Sequence, residues 1–197
     1  MPVNTAVCMF RAETVIRRMS PLGNFLASYC SPQVKHMLAH ICLRGGIILD
    51  SCGSKVDAVY RVLTDEGLHV LTNDINGRLT ADTHLDVLTS EFLQQYGPGD
   101  RQPQWIVTSP PYKHAFAILR QALVVARVGV IFKLRLSFLE RTKTRGTWLQ
   151  KPPPALTLLL PRAVYRGRIC SVPEAWIMWD CGKSPRSPLS QEVVFAV

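Results

Sequence analysis

No uninterrupted apolar run among the 197 residues approaches the roughly 18 needed to span a bilayer, so a membrane-spanning helix is not expected. The first thirty residues lack a basic stretch leading into an apolar one. A secretory leader is therefore not expected, and an intracellular setting, cytoplasmic or inside a host cell, is predicted. The six cysteines (Cys8, Cys30, Cys42, Cys52, Cys170 and Cys181) form no C-x-x-C pair. That spacing argues against a zinc ribbon or a disulfide scaffold and suits a reducing compartment, and no metal site is expected. Internal repeats and low-complexity tracts are also missing. Acidic residues are scarce in one half only: residues 101–197 hold four Asp or Glu against fifteen Lys or Arg.

The formal net charge of +9 is thus unevenly spread, with −2 over residues 1–100 and +11 over residues 101–197. Most of the cations in the second half are arginines, whose planar fork suits phosphate. A nucleic-acid partner is the natural expectation, and a basic surface kept for solubility is the alternative. With 47% apolar and 19% charged residues the chain has a globular composition and enough length for one domain with a sizeable core. Lys151-Pro152-Pro153-Pro154 is the strongest break, but too little chain follows it for a second domain. A single domain over 1–197 is expected, with 1–28 as an extension. In that extension Arg11–Met19 reads as a short helix and Pro21-Leu22-Gly23 as a turn.

Short apolar runs bounded by turn signals predict strands at 46–50, 69–73, 105–108, 128–134, 156–160 and 175–179. Between them, Val34, Met37, Leu38 and Ile41 follow helical spacing, with Ser31-Pro32 as a helix start. Val56, Val59, Tyr60 and Leu63 predict a second helix, and Phe116, Leu119, Leu123 and Val124 a third. Strands alternating with helices predict an α/β fold with a mostly parallel sheet, helices on both faces and an antiparallel edge.

Ligands of open α/β sheets bind beyond the carboxyl ends of the strands, and three such ends here carry polar sequence. The first is Asp50-Ser51-Cys52-Gly53-Ser54, where Gly53 lets backbone approach a ligand; a simple connection is the alternative. The second ends in Asn73-Asp74, and Asp74 lies 21 residues beyond Gly53, a spacing that suits a carboxylate on ribose hydroxyls. A solvated strand end would look the same. The third is Thr108-Ser109-Pro110-Pro111-Tyr112. Two prolines cannot extend a ladder, so they fix an extended corner whose acceptors, Ser109 and the Pro110 carbonyl, stand beside the flat Tyr112 ring. Acceptors next to a ring suit a planar heterocycle that bears an exocyclic amine. A merely stiffened loop is the alternative.

The order Asp50–Ser54, Asn73-Asp74, Ser109–Tyr112 resembles that of S-adenosylmethionine-dependent amino-methyltransferases acting on DNA bases, of the N6-adenine and N4-cytosine type. Tyr29-Cys30-Ser31-Pro32 resembles the Tyr-x-Thr-Pro element ahead of the first motif in one subgroup. The stretch from Phe132 to Glu140 resembles small phage and bacterial adenine-methyltransferase-like proteins, as do Pro152-Pro153, Leu160-Pro161-Arg162 and Ala175-Trp176. The likeness spans about residues 29–180 and implies a Rossmann-like class I methyltransferase fold. Carried over, it implies that Asp50, Cys52 and Gly53 line the methionine end of S-adenosylmethionine, with Ser31 nearby. It further implies that Asp74 binds the ribose and Asp86 contacts the cofactor's adenine. Ser109, Pro110 and Pro111 would form the corner that orients the target amine, and Tyr112 would stack on the flipped base. Where family members carry further glycines after the first, this chain has Gly53-Ser54-Lys55-Val56.

The basic second half supplies Arg135, Arg141, Lys143, Arg145, Arg162, Arg166 and Arg168 for backbone phosphates. DNA is expected ahead of RNA, adenine N6 ahead of cytosine N4, and a homodimer or a partner subunit is expected because little length is left for reading sequence. A nucleic-acid-binding protein on an inactive methyltransferase fold is the rival from another class. An RNA methyltransferase shares the same fold and loop.

Overall fold

The computed structural model describes residues 22–43, 45–140, 142, 145–150, 153–162, 164–165, 168–169, 172–182 and 192–195. Among the described residues nine strands follow in chain order: β1 (Ile48–Asp50), β2 (Val70–Thr72), β3 (Trp105–Thr108), β4 (Gly129–Arg135), β5 (Leu156–Leu159), β6 (Val164–Tyr165), β7 (Arg168–Ile169), β8 (Glu174–Asp180) and β9 (Glu192–Phe195). The helices are α1 (Leu22–His40), α2 (Ala58–Asp65), α3 (Ser90–Tyr96) and α4 (Ala115–Val125). Seven strands make one sheet in the order β2-β1-β3-β4-β8-β5-β9, and β6 and β7 pair apart from it.

The alternation of side chains along each strand explains both layers. Ile48, Trp105, Val107, Ile131, Trp176 and Met178 face one cluster, joined by Val34 and Met37 of α1, by Ile41 just beyond it, and by Val59, Val62 and Leu63 of α2. Their neighbours Leu49, Ile106, Val130, Phe132, Ala175, Ile177 and Trp179 face the other, against Phe92 and Tyr96 of α3 and Ile118, Leu119 and Ala122 of α4. A strand covered on both faces reads as a continuous apolar run, which is why β3 and the middle of β8 are so legible.

Several details differ from expectation. The antiparallel strand is not at the edge: β8 lies between β4 and β5, antiparallel to both, and the edge strand β9 runs parallel to β5. Five consecutive buried residues, from Ala175 to Trp179, suit an interior place rather than an edge. Pro32 lies inside α1 rather than at its start, and Leu22 and Gly23 are helical rather than a turn. Proline removes one hydrogen bond, but its fixed φ is itself helical, so a helix can run through it. Val56 and Val124 are exposed (49% and 62%) rather than core-facing, and Ala58 and Ala122 take the inward places instead. The proposed helix at 11–19 lies outside the described residues.

Gly129 opens β4 where Trp105 crosses it. A Cβ there would meet the Trp105 ring at 2.6 Å and the Trp179 carbonyl at 2.8 Å. Both neighbours are tightly packed, so Gly129→Ala should cost about 1–3 kcal/mol of unfolding free energy, read as a lower urea midpoint with unchanged slope.

Candidate active site at the switch point

The chain leaves β1 for β2 on one side and then returns past β1 to β3 on the other. The crevice beyond the carboxyl ends of β1 and β3 is therefore the topological switch point. Asp50 ends β1 and Thr108 ends β3. The Thr108 hydroxyl donates to Asp50 Oδ1 at 2.6 Å and accepts from the Cys52 N–H at 3.1 Å. Asp50 is 2% exposed, and burial pushes its carboxyl up to about 7. The Thr108 hydrogen bond opposes that rise, and the nearby Asp57 adds to it.

The chain folds back over this carboxyl at Gly53, where a Cβ would collide with the Asp50 carboxylate. Glycine is required here by close approach, not by its φ. Asn73, fully buried, fastens the turn. Its Nδ2 donates to the Ser51 and Leu85 carbonyls at 3.0 Å each, and its Oδ1 accepts from Thr83 at 2.8 Å and from the Leu85 N–H at 2.9 Å. The residues in place of further glycines are held by other partners or exposed. Ser54 bonds Asp57 through its N–H and hydroxyl, Lys55 pairs with Asp82, and Val56 points to solvent.

Asp74 is buried at the end of β2, where Oδ1 accepts from the Asn76 N–H at 2.8 Å. Next to it Ile75 is 67% exposed, and the Asn76 Nδ2 is buried without a hydrogen-bond partner. Asp86 is exposed and caps its own turn, accepting from the Leu88 N–H. Ser31 is half-buried in the middle of α1 rather than at the start of a helix.

The corner after β3 begins with the half-buried Ser109 and the buried Pro110. The Pro111 carbonyl accepts from the His114 N–H at 2.9 Å, whereas the Pro110 carbonyl accepts nothing from the described residues. Tyr112 is half-buried against the second core cluster, and its hydroxyl donates to Glu174 Oε1. Burial and the Glu174 charge hold that hydroxyl above the ordinary tyrosine range, and the Arg135 guanidinium beside it opposes the rise. Glu174 Oε2 pairs with Lys133 at 3.2 Å.

The basic residues scatter. Arg135 lies on the Tyr112 ring, its guanidinium carbon 4.3 Å from the centroid. Arg145 covers Phe138 and donates to the Ser137 carbonyl, and Arg162 is exposed after β5. Of Arg168 only the backbone, in β7, is described. Arg141, Lys143 and Arg166 lie outside the described residues.

Thr108, Ile75, Asn76, Lys133 and Glu174 carry no role in the sequence reading. Thr108 does leave a signal: it is a hydroxyl at the end of an otherwise apolar buried strand, next to the proline corner. Glu174 leaves none, because its partner is 62 residues away.

No protein-family model matches the chain, and no curated protein sequence does. Among solved structures, it resembles a class I S-adenosylmethionine-dependent methyltransferase from Listeria monocytogenes over 97% of this chain and 70% of that one (TM-score 0.62, 11% identity). It resembles the methyltransferase subunit of a type I restriction-modification system from Streptococcus thermophilus over 89% of this chain (TM-score 0.58, 11% identity) and spans 47% of that subunit. A third likeness is to magnesium protoporphyrin IX methyltransferase from Synechocystis with bound S-adenosylmethionine, over 91% of this chain and 98% of that one (TM-score 0.51, 10% identity). Topology and likeness agree: this chain has the Rossmann-like α/β fold of class I S-adenosylmethionine-dependent methyltransferases.

Proposed function

We propose that the protein binds S-adenosylmethionine at the switch point and transfers its methyl group to the exocyclic amine of a DNA base, adenine N6 ahead of cytosine N4. One adjacency carries this: the corner that would hold the amine, starting at Ser109, follows directly on Thr108, whose hydroxyl is 2.6 Å from Asp50.

The residues present fit the cofactor. Asp50 is a buried carboxyl with Asp57 and Asp74 near enough to raise its pKa, so the crevice favours a cation. Asp74 offers a carboxylate to a ribose, and the exposed Ile75 gives apolar surface to a purine beside the unpartnered Asn76 Nδ2. When bound, S-adenosylmethionine supplies a methyl group on a positively charged sulfur. An aromatic amine is a poor nucleophile because its lone pair is conjugated into the ring. Ser109 and the Pro110 carbonyl accept its N–H hydrogens, which favours a pyramidal nitrogen and frees the lone pair. Tyr112 orients the base plane by stacking. Displacement would be direct: the nitrogen–methyl bond would form as the sulfur–methyl bond breaks, the electron pair would stay on sulfur, and the amine would lose one proton to solvent. With no covalent enzyme intermediate, positioning supplies much of the rate. Cys52 belongs to the glycine turn and is no nucleophile here.

The test is transfer of tritiated methyl groups from S-adenosylmethionine to DNA and RNA, beside a cofactor titration. DNA should be labelled, and Asp74→Ala should weaken cofactor binding by at least about tenfold through lost charge-assisted hydrogen bonds. Saturable cofactor binding without transfer to either nucleic acid would favour the inactive scaffold, and labelling of RNA alone would move the substrate to RNA.

A further inference from the structure

Arg135 ends β4, a position from which a long basic side chain could reach solvent. Instead its guanidinium covers the Tyr112 ring at 4.3 Å, and both Nε and Nη2 are buried without a hydrogen-bond partner. These two nitrogens are the donors of one edge of the guanidinium, the fork that ordinarily takes two oxygens of a phosphate or carboxylate. Leaving both unpaired is a costly arrangement for a cation, offset in part by its attraction to the ring face.

The other neighbours of the ring are fixed. Tyr112 packs on the second core cluster, and its hydroxyl is held by Glu174, which faces Arg135 across the β4–β8 pairing and is itself held by Lys133. Arg135 lies against the hydroxyl as well as the ring, and among the described residues no carboxylate pairs with it. A planar, positively charged group thus occupies the surface on which a planar base would stack, with an unused phosphate fork.

We propose that Arg135 is a placeholder for the substrate. In the free protein its guanidinium covers the stacking surface of Tyr112; when a nucleotide enters, the base takes that surface and the fork moves to a phosphate of the same strand. This rests on the base-methylation reading and adds to it a residue that both guards and recognises the target nucleotide.

The two halves of the role predict effects of opposite sign. A nucleoside has a base but no phosphate, so Arg135→Ala should bind adenosine or cytidine at least about threefold more tightly than the wild type. A single-stranded DNA oligonucleotide has both, so the same variant should bind it at least about fivefold more weakly, with a salt dependence reduced by about one phosphate contact. Arg135→Lys keeps a cation for the phosphate but has no plane to stack, so it should retain most of the oligonucleotide affinity. Nuclear magnetic resonance gives a readout separate from activity: the Arg135 Nε–H signal should be shifted by the Tyr112 ring in the free protein and move on adding the oligonucleotide. If Arg135→Ala weakens both ligands alike or neither, or if the signal stays fixed while DNA is bound, Arg135 is a structural neighbour of the ring and the placeholder is overturned. Methyl transfer by the wild type with an unmoved Arg135 signal defeats this inference alone. Absence of both transfer and nucleotide binding defeats the functional reading, and the placeholder falls with it.

Discussion

S-adenosylmethionine should bind about tenfold more tightly at pH 8 than at pH 6, and Asp50→Asn should abolish that dependence. The reason is the buried carboxyl at the end of β1, raised to about 7 chiefly by desolvation. At pH 6 it is mostly neutral, so a cationic ligand must ionise it first and release nearly one proton. At pH 8 the negative charge is already present. Calorimetry in two buffers of different ionisation enthalpy measures the proton release directly. The substituted amide is neutral at every pH, and its oxygen can still accept from Thr108. Binding to Asp50→Asn should therefore be weaker and flat with pH.

The same carboxyl sets a stability trend of known sign. Its folded pKa lies above the unfolded value of 3.8, so folding favours the neutral form. That contribution is fully present below about pH 4 and is lost as pH rises through about 7. The shift corresponds to a cost on the order of 4 kcal/mol at pH 8. Asp50→Asn should therefore make the ligand-free protein more stable at pH 8 while it weakens the ligand, a trade expected of a binding group rather than a packing group. A substitution that leaves the pH dependence of binding intact would assign the proton elsewhere.

Tyr112→Ala should lower kcat/KM for nucleic acid by about 10- to 100-fold, the range expected when one stacking ring is removed. Cofactor affinity should change little, since the ring's described partners are Glu174, Arg135 and the second core cluster rather than Asp50, Gly53 or Asp74. Tyr112→Phe should fall between alanine and the wild type, because the ring remains while Glu174 loses a donor and, among the described residues, keeps its ion pair with Lys133. If alanine lowered cofactor affinity as much as transfer, the corner would be a structural strut of the crevice and not a platform for the base.

Local chemistry makes much of this legible. The strands that are buried on both faces announce themselves as apolar runs, Gly53 and the two prolines mark strand ends by what their backbones can and cannot do, and Asp74 stands out by its carboxylate 21 residues beyond Gly53. The antiparallel place of β8 is not legible, because pairing partners are chosen by sheet topology and not by the strand's own residues. The helix through Pro32 reads as a helix start, since proline is favoured in a first turn and merely tolerated inside. The site's second half is hidden for a different reason. Glu174 and Arg135 look like ordinary strand-end charges until the β4–β8 register sets them opposite one another and beside Tyr112. Composition assigns Arg135 to a phosphate-binding surface; its place on the ring depends on a contact between β4 and the proline corner that spacing cannot reveal.

The most direct test is to incubate the protein with methyl-labelled S-adenosylmethionine and DNA, digest the product to nucleosides and identify them by mass spectrometry. Label on N6-methyladenine or N4-methylcytosine deoxynucleosides, lost in Tyr112→Ala, is the predicted result. Label on a ring carbon, a ring nitrogen or a protein side chain, with exocyclic amines untouched, would contradict it.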